Sequence, residues 1–159
     1  MEARDAMHQA SCLAGLAFSE AGLGINHGLA HAIGGRMHLV HGRINAVLLP
    51  HVIAFNAGFE DDAPGCRETL SIYARIATRI GLDVPSPRAG VLALIRAIQS
   101  LNARFSIAPT LSGLGMDVED FRRAIPEIAT AALADACTRG NPRRPTLAEL
   151  EMLLGRAGG

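Results

Sequence analysis

Four of the six histidines of this chain fall in one stretch, His27-Gly-Leu-Ala-His31-Ala-Ile-Gly-Gly-Arg-Met-His38-Leu-Val-His41. Imidazole is the commonest transition-metal ligand near neutral pH, so converging histidines point to zinc or iron. His27 and His31 are four residues apart, which on a helix stacks them on one face, one turn above the other. His41 then stands at the start of a new apolar run. Spacing alone leaves two readings open. The same pattern also arises from histidines packed and satisfied in a helical core, and no carboxylate lies inside the stretch to complete a metal site.

The elements that must position these side chains read as helices throughout. Apolar residues at helical spacing predict a first helix over 3–21, through Met7, Ala10, Leu13, Ala14, Ala17 and Phe18. A short second helix, about 26–33, carries His27 and His31, with Asn26 as its cap and Gly34-Gly35 as its stop. A third, about 42–56, contains Pro50, which should kink it by removing a backbone donor. His51, next to Pro50, reads as structural. An acidic loop at Glu60, Asp61, Asp62 and Pro64 follows. Then come helices over about 65–80, with Leu70, Tyr73, Ile76, Ala77 and Ile80 inward, and from Ser86-Pro87 to about Leu101. Asp117 caps the next helix, which Pro126 restarts and which runs on to Cys137. Thr146 to Glu149 is a capping box that opens a last helix ending near Arg156. Alternating strand patterns, internal repeats and a glycine-rich nucleotide-binding turn are absent. The expected fold is therefore all-α, with about seven or eight helices in a single domain covering 1–159.

Composition narrows the function classes. The chain has 159 residues, 15 basic and 15 acidic side chains and a formal net charge of +0. The basic residues are all arginine and are scattered, with doublets only at Arg122-Arg123 and Arg143-Arg144, so no nucleic-acid footprint is expected. Cys12, Cys66 and Cys137 are widely spaced, which argues against a disulfide framework or a thiolate zinc knuckle. No apolar run approaches the ~18 residues of a membrane span. The opening residues are charged and lack a signal-peptide core. A cytoplasmic setting is expected.

His27-Gly-Leu-Ala-His31-Ala-Ile-Gly-Gly, followed by His41-Gly-Arg-Ile-Asn45-Ala-Val-Leu-Leu-Pro50-His51-Val, resembles the signature of the iron-containing (group III) alcohol dehydrogenases. The opening Ala3-Arg-Asp-Ala-Met-His-Gln-Ala-Ser11 and the closing Asp135-Ala-Cys137-Thr-Arg-Gly140-Asn-Pro-Arg143 are similar to the family's flanking segments. The resemblance covers essentially the whole chain, but only the helical half of a family member. It implies an N-terminal α/β nucleotide-binding domain elsewhere, and an Asp-x-x-x-His segment that supplies the other two metal ligands. By resemblance, His27 and His41 are metal ligands. His31 is the catalytic histidine beside the nicotinamide, and Phe18 and Cys137 line the substrate pocket. Packing in the core is an equal alternative for Phe18, and a buried thiol for Cys137. His38 matches no ligand, and Val40 stands where many members have proline.

The implied cofactors are Fe2+, with Zn2+ as an alternative, and NAD or NADP. The implied substrate is a small primary alcohol or aldehyde. The chain by itself is expected to be an enzyme fragment without turnover, and a homodimer or larger oligomer because removing a partner domain bares apolar surface. No nucleic-acid or membrane partner is expected. Two rivals remain. A maleylacetate reductase would carry His-Lys-Leu-Cys-His and His-Ala-Glu-Thr-His where this chain has His27-Gly-Leu-Ala-His31 and His41-Gly-Arg-Ile-Asn45. A non-catalytic helical module would instead bind metal between subunits.

Overall fold

A computed structural model describes residues 1–59 and 65–159, so the acidic loop expected at Glu60, Asp61, Asp62 and Pro64 lies outside the described residues. Among the described residues the fold is all-α, as the periodicity predicts. Its helices are α1 (Glu2–Ala21), α2 (Ile25–Met37), α3 (His41–Asn56), α4 (Cys66–Arg79), α5 (Pro87–Arg104), α6 (Val118–Ala134) and α7 (Leu147–Gly158). Two 3-10 turns, Ser112–Leu114 and Ala136–Gly140, flank α6. No described helix is long and apolar enough to cross a membrane.

Helix α3 is the spine. One side joins α2, α6 and α7 around a core that includes Leu29, Ile33, Ile44, Leu48, Phe121 and Leu154. The other side meets α4 and α5 through Ile53, Ala57, Ala77, Val91 and Leu94. Burying one such aliphatic side chain contributes roughly 1.5–3 kcal/mol, so these two clusters fix how the histidine-bearing helices sit.

Several local expectations are corrected. Gly34-Gly35 does not end α2, which runs on to Met37 and closes where His38 takes a left-handed conformation with φ 55°. A helical glycine costs about 1 kcal/mol against alanine, and the packing of α2 on α3 and α6 outweighs that. Asn26 is not the cap either. The cap position is Gly24, which has no side chain to offer. The amide of Ile25 instead donates to Asn141 Oδ1 at 3.2 Å, across 116 residues of sequence.

Pro50 sits inside a single helix. It leaves the Ala46 carbonyl without its helical donor, and Asn102 Nδ2 on α5 donates to that oxygen at 2.7 Å. Pro126 likewise lies within one continuous α6, which stops at Ala134 rather than reaching Cys137. On α4 the buried stripe is Cys66, Thr69, Ala74 and Ala77. Ile76 and Ile80, expected inward, are exposed. Helix α1 forms as predicted yet buries none of its side chains.

His51 is half-buried on α3, beside a cleft of about 220 Å³ between α3 and α5 lined by Val47, Pro50, Gln99 and Asn102. Burial, and then the Arg156 guanidinium, hold its pKa below the ordinary imidazole value of 6.5. The unfolded chain therefore binds this proton more readily than the folded one, so the stability His51 contributes is present above about pH 6.5 and is lost on acidification. The melting temperature should fall as pH drops from about 7 to 5, and His51→Gln should flatten part of that fall. An unchanged profile in the variant would refute the assignment.

Candidate metal centre

Three histidines meet where α2 turns into α3. His27 and His31 lie one turn apart on α2, and His41 opens α3. Their ring centroids are 5.4 Å apart for His27–His41, 5.2 Å for His31–His41 and 6.1 Å for His27–His31. The His31 and His41 rings are stacked, with an interplanar angle of 15°. The three-residue link between the helices makes this possible, because the left-handed His38 reverses the chain. His38 itself is exposed and belongs to the turn, not to the cluster. Phe18, at the end of α1, stands 6.4 Å from His27, ring to ring, and is 45% exposed. It is not a core residue, and it borders the cluster.

The cluster has a carboxylate that the sequence reading missed. Asp135, 104 residues from His31, places Oδ2 at 3.0 Å from His31 Nδ1. Its other oxygen, Oδ1, accepts the Cys137 backbone N–H at 2.7 Å, which caps the 3-10 turn Ala136–Gly140 and aims the free oxygen at the histidine. Close packing of α2 on that turn is what brings the groups together. A Cβ at Gly28 would lie 2.2 Å from Thr138 Oγ1 and 3.2 Å from the Ala132 carbonyl, so only glycine fits at this position. The available sequence signal was Asp135 itself, two residues before a cysteine already singled out for the pocket.

Titration follows from these contacts. Burial lowers the His27 pKa, and the neighbouring His41 and His31 lower it further against an opposing pull from Asp135. A neutral imidazole with a free lone pair results, which is the form that binds a metal. Burial pushes the Asp135 carboxyl up, but the Cys137 N–H and the His31 ring outweigh it and hold it below the usual range. Burial and the Asp135 carboxylate push the Cys137 thiol up.

The spacing of His27 and His41 suits a shared ion. Two imidazoles bound to one ion at metal–nitrogen distances of about 2.1 Å place their ring centroids about 5 Å apart. Asn45 Nδ2 lies 2.9 Å from His41 Nε2, and Asn26 Nδ2 donates to Asn45 Oδ1 at 2.7 Å, so an amide chain from α2 fixes the ring of the α3 histidine. The pair fits half of a metal site. Among the described residues neither histidine has a carboxylate of its own beside it, since Asp135 is engaged by His31.

The model for the Fe-containing alcohol dehydrogenase family, C-terminal, matches residues 1–158. The chain belongs to that family. It is similar to an NADPH-dependent butanol dehydrogenase of Clostridium saccharobutylicum, 39% identical over 96% of this chain and 37% of the relative. A 1-propanol dehydrogenase of Salmonella typhimurium is 42% identical over 95% of this chain and 40% of its own length. Among solved structures, a 1,3-propanediol oxidoreductase superposes with a TM-score of 0.83 at 34% identity, covering 98% of this chain and 38% of that one. An iron-containing alcohol dehydrogenase from Thermococcus thioreducens gives 0.80 at 32% identity, with 98% and 37% covered. The chain thus spans about two-fifths of the length of these relatives. As an iron-alcohol-dehydrogenase C-terminal domain it brings His27, His31, His41, Phe18, Asp135 and Cys137 to one end of α2.

Proposed function

We propose that these 159 residues are the helical, metal-holding half of an iron-dependent dehydrogenase that interconverts small primary alcohols and aldehydes with NAD or NADP. The observation that carries this reading is the meeting of His27, His31 and His41 at the α2–α3 turn in a chain of this family. His27 and His41 are the proposed ligands of Fe2+. Zn2+ suits the same imidazoles, and iron is favoured by the family. When bound, the ion supplies Lewis acidity toward the alcohol oxygen.

His31 is the proposed proton carrier, placed beside the nicotinamide of the dinucleotide. Asp135 orients its ring and fixes the proton on Nδ1, leaving Nε2 to exchange one with the substrate side. Phe18 and Cys137 border the cluster from opposite elements and would help shape an alcohol pocket. The cluster is open: His31 and His41 are exposed. A nucleotide-binding domain carrying the remaining carboxylate and imidazole would close that face, and exposed Leu13, Leu16 and Phe18 on α1 offer apolar surface to it or to a second copy. A homodimer or larger oligomer of this chain is proposed on the same ground. The names of the relatives favour an alcohol dehydrogenase over a maleylacetate reductase.

The test is an assay with 1-propanol and 1-butanol, NAD+ or NADP+ and ferrous ion. The 159-residue chain should give no turnover. The same chain joined to the N-terminal part of the Clostridium butanol dehydrogenase should turn over. Robust activity of the chain alone, or a folded but inactive hybrid, would overturn the proposal.

A further inference from the structure

His31, Asp135 and Cys137 form the one group of three metal-capable side chains, among the described residues, whose donor atoms all lie within 4.8 Å of one another. The group contains neither His27 nor His41. We infer that it is a second cation site, selective for thiophilic dications such as Zn2+ and Co2+, built from His31 Nδ1, Asp135 Oδ2 and Cys137 Sγ.

The geometry is set by backbone. Asp135 stands at the junction of α6 and the following 3-10 turn, and its Oδ1 is tied to the Cys137 N–H at 2.7 Å, which holds Oδ2 and the thiol on the same side. Helix α2 is pressed against that junction at Gly28, delivering His31 Nδ1 to 3.0 Å from Oδ2. Donor atoms of a tetrahedral zinc ion are themselves separated by roughly 3.3–3.8 Å, so small side-chain movements suffice to admit one. The donor set also balances charge: one thiolate and one carboxylate neutralise a dication, and the imidazole adds a third, neutral ligand. On binding, the thiol proton leaves to solvent, because a coordinating thiol is deprotonated by the ion. The His31 ring stays neutral, its one proton carried on Nε2 once Nδ1 is bound to the ion. The thiolate disfavours Mg2+ and Ca2+, which prefer oxygen donors. His31 is exposed, leaving a fourth position for water.

The site does not depend on the proposed dehydrogenase function. If that function holds, an ion here takes Nδ1 of His31 from Asp135 and blocks the proton route. Thiophilic metals would then inhibit, whereas added iron at His27 and His41 would not relieve them.

Two measurements on the reduced 159-residue chain decide it. In the first, Co2+ is titrated into wild type, the double variant His27→Ala/His41→Ala, and Cys137→Ser, with circular dichroism confirming each fold. A sulfur-to-cobalt charge-transfer band should appear in the first two, saturate near one equivalent in the double variant, and vanish in Cys137→Ser. Asp135→Asn should weaken binding by about tenfold or more. In the second, which needs no variant, Zn2+ should protect Cys137 from iodoacetamide, read by peptide mass, while exposed Cys12 stays reactive. A band that survives Cys137→Ser, a band lost with His27 and His41, or unprotected Cys137 would each overturn the inference.

Discussion

In a hybrid dehydrogenase completed with a relative's nucleotide-binding part, His41→Ala should lower kcat/KM for 1-butanol by about a thousandfold or more, equivalent to ~4 kcal/mol. The ring of His41 lies within 5.4 Å of both other histidines, and it is the one imidazole of the cluster contributed by α3. Its removal takes one of the two proposed ligands from this chain and leaves His27 to hold the ion from one helix alone. Iron content of the purified hybrid should fall in parallel, which separates a lost ligand from a lost proton carrier. By contrast, His31→Ala should lower turnover while iron is retained. An iron-replete, fully active His41→Ala hybrid would sink the ligand assignment.

Asn141→Ala should destabilise the fold by about 2–4 kcal/mol, lowering the melting temperature by roughly 5–15 °C. This buried amide is a hub. Its Oδ1 accepts from the Ile25 backbone at 3.2 Å and from Asn56 Nδ2 at 3.2 Å. Its Nδ2 donates to Asn56 Oδ1 at 2.7 Å and to the Arg143 carbonyl at 2.6 Å. Alanine would remove the Asn141 partners of the first N–H of α2 and of Asn56 Oδ1, leaving Asn56 Nδ2 its bond to Tyr73, and unmet buried groups cost more than formed bonds gain. Because Asn141 holds the start of the helix that carries His27 and His31, cobalt binding should weaken along with stability. A variant within about 0.5 kcal/mol of wild type would contradict the hub role, since that is the range of an ordinary surface change.

What was legible in the sequence is what local chemistry decides. Ser86 accepts from the Ala89 amide, Asp117 from the Asp120 amide and Thr146 from the Glu149 amide, and each cap is written within four residues. Glu149 also returns a carboxylate to the Thr146 N–H and pairs with Arg143. Features decided by distant partners were not legible. Gly34-Gly35 reads as a stop because helical glycine is costly, and only the packing of α2 overrules it. Pro50 reads as a break because nothing nearby says that Asn102 will serve the Ala46 carbonyl. The candidate site divides the same way. His27, His31, His38 and His41 stand out as one histidine-rich stretch and the family resemblance singles out three of them, whereas Asp135 joins them only through the close approach at Gly28.

Helix α1 gives the molecule two tiers of cooperativity. Its twenty residues bury no side chain, so its helicity rests on intrinsic propensity, and an isolated helix of that length is marginal in water. The described helices from α2 onward share one pair of cores and open together. α1 can unwind without disturbing either, at a free energy far below that of global unfolding. Phe18 rides on this separate tier, so the proposed pocket wall beside His27 is the part of the site whose position a partner surface would have to set.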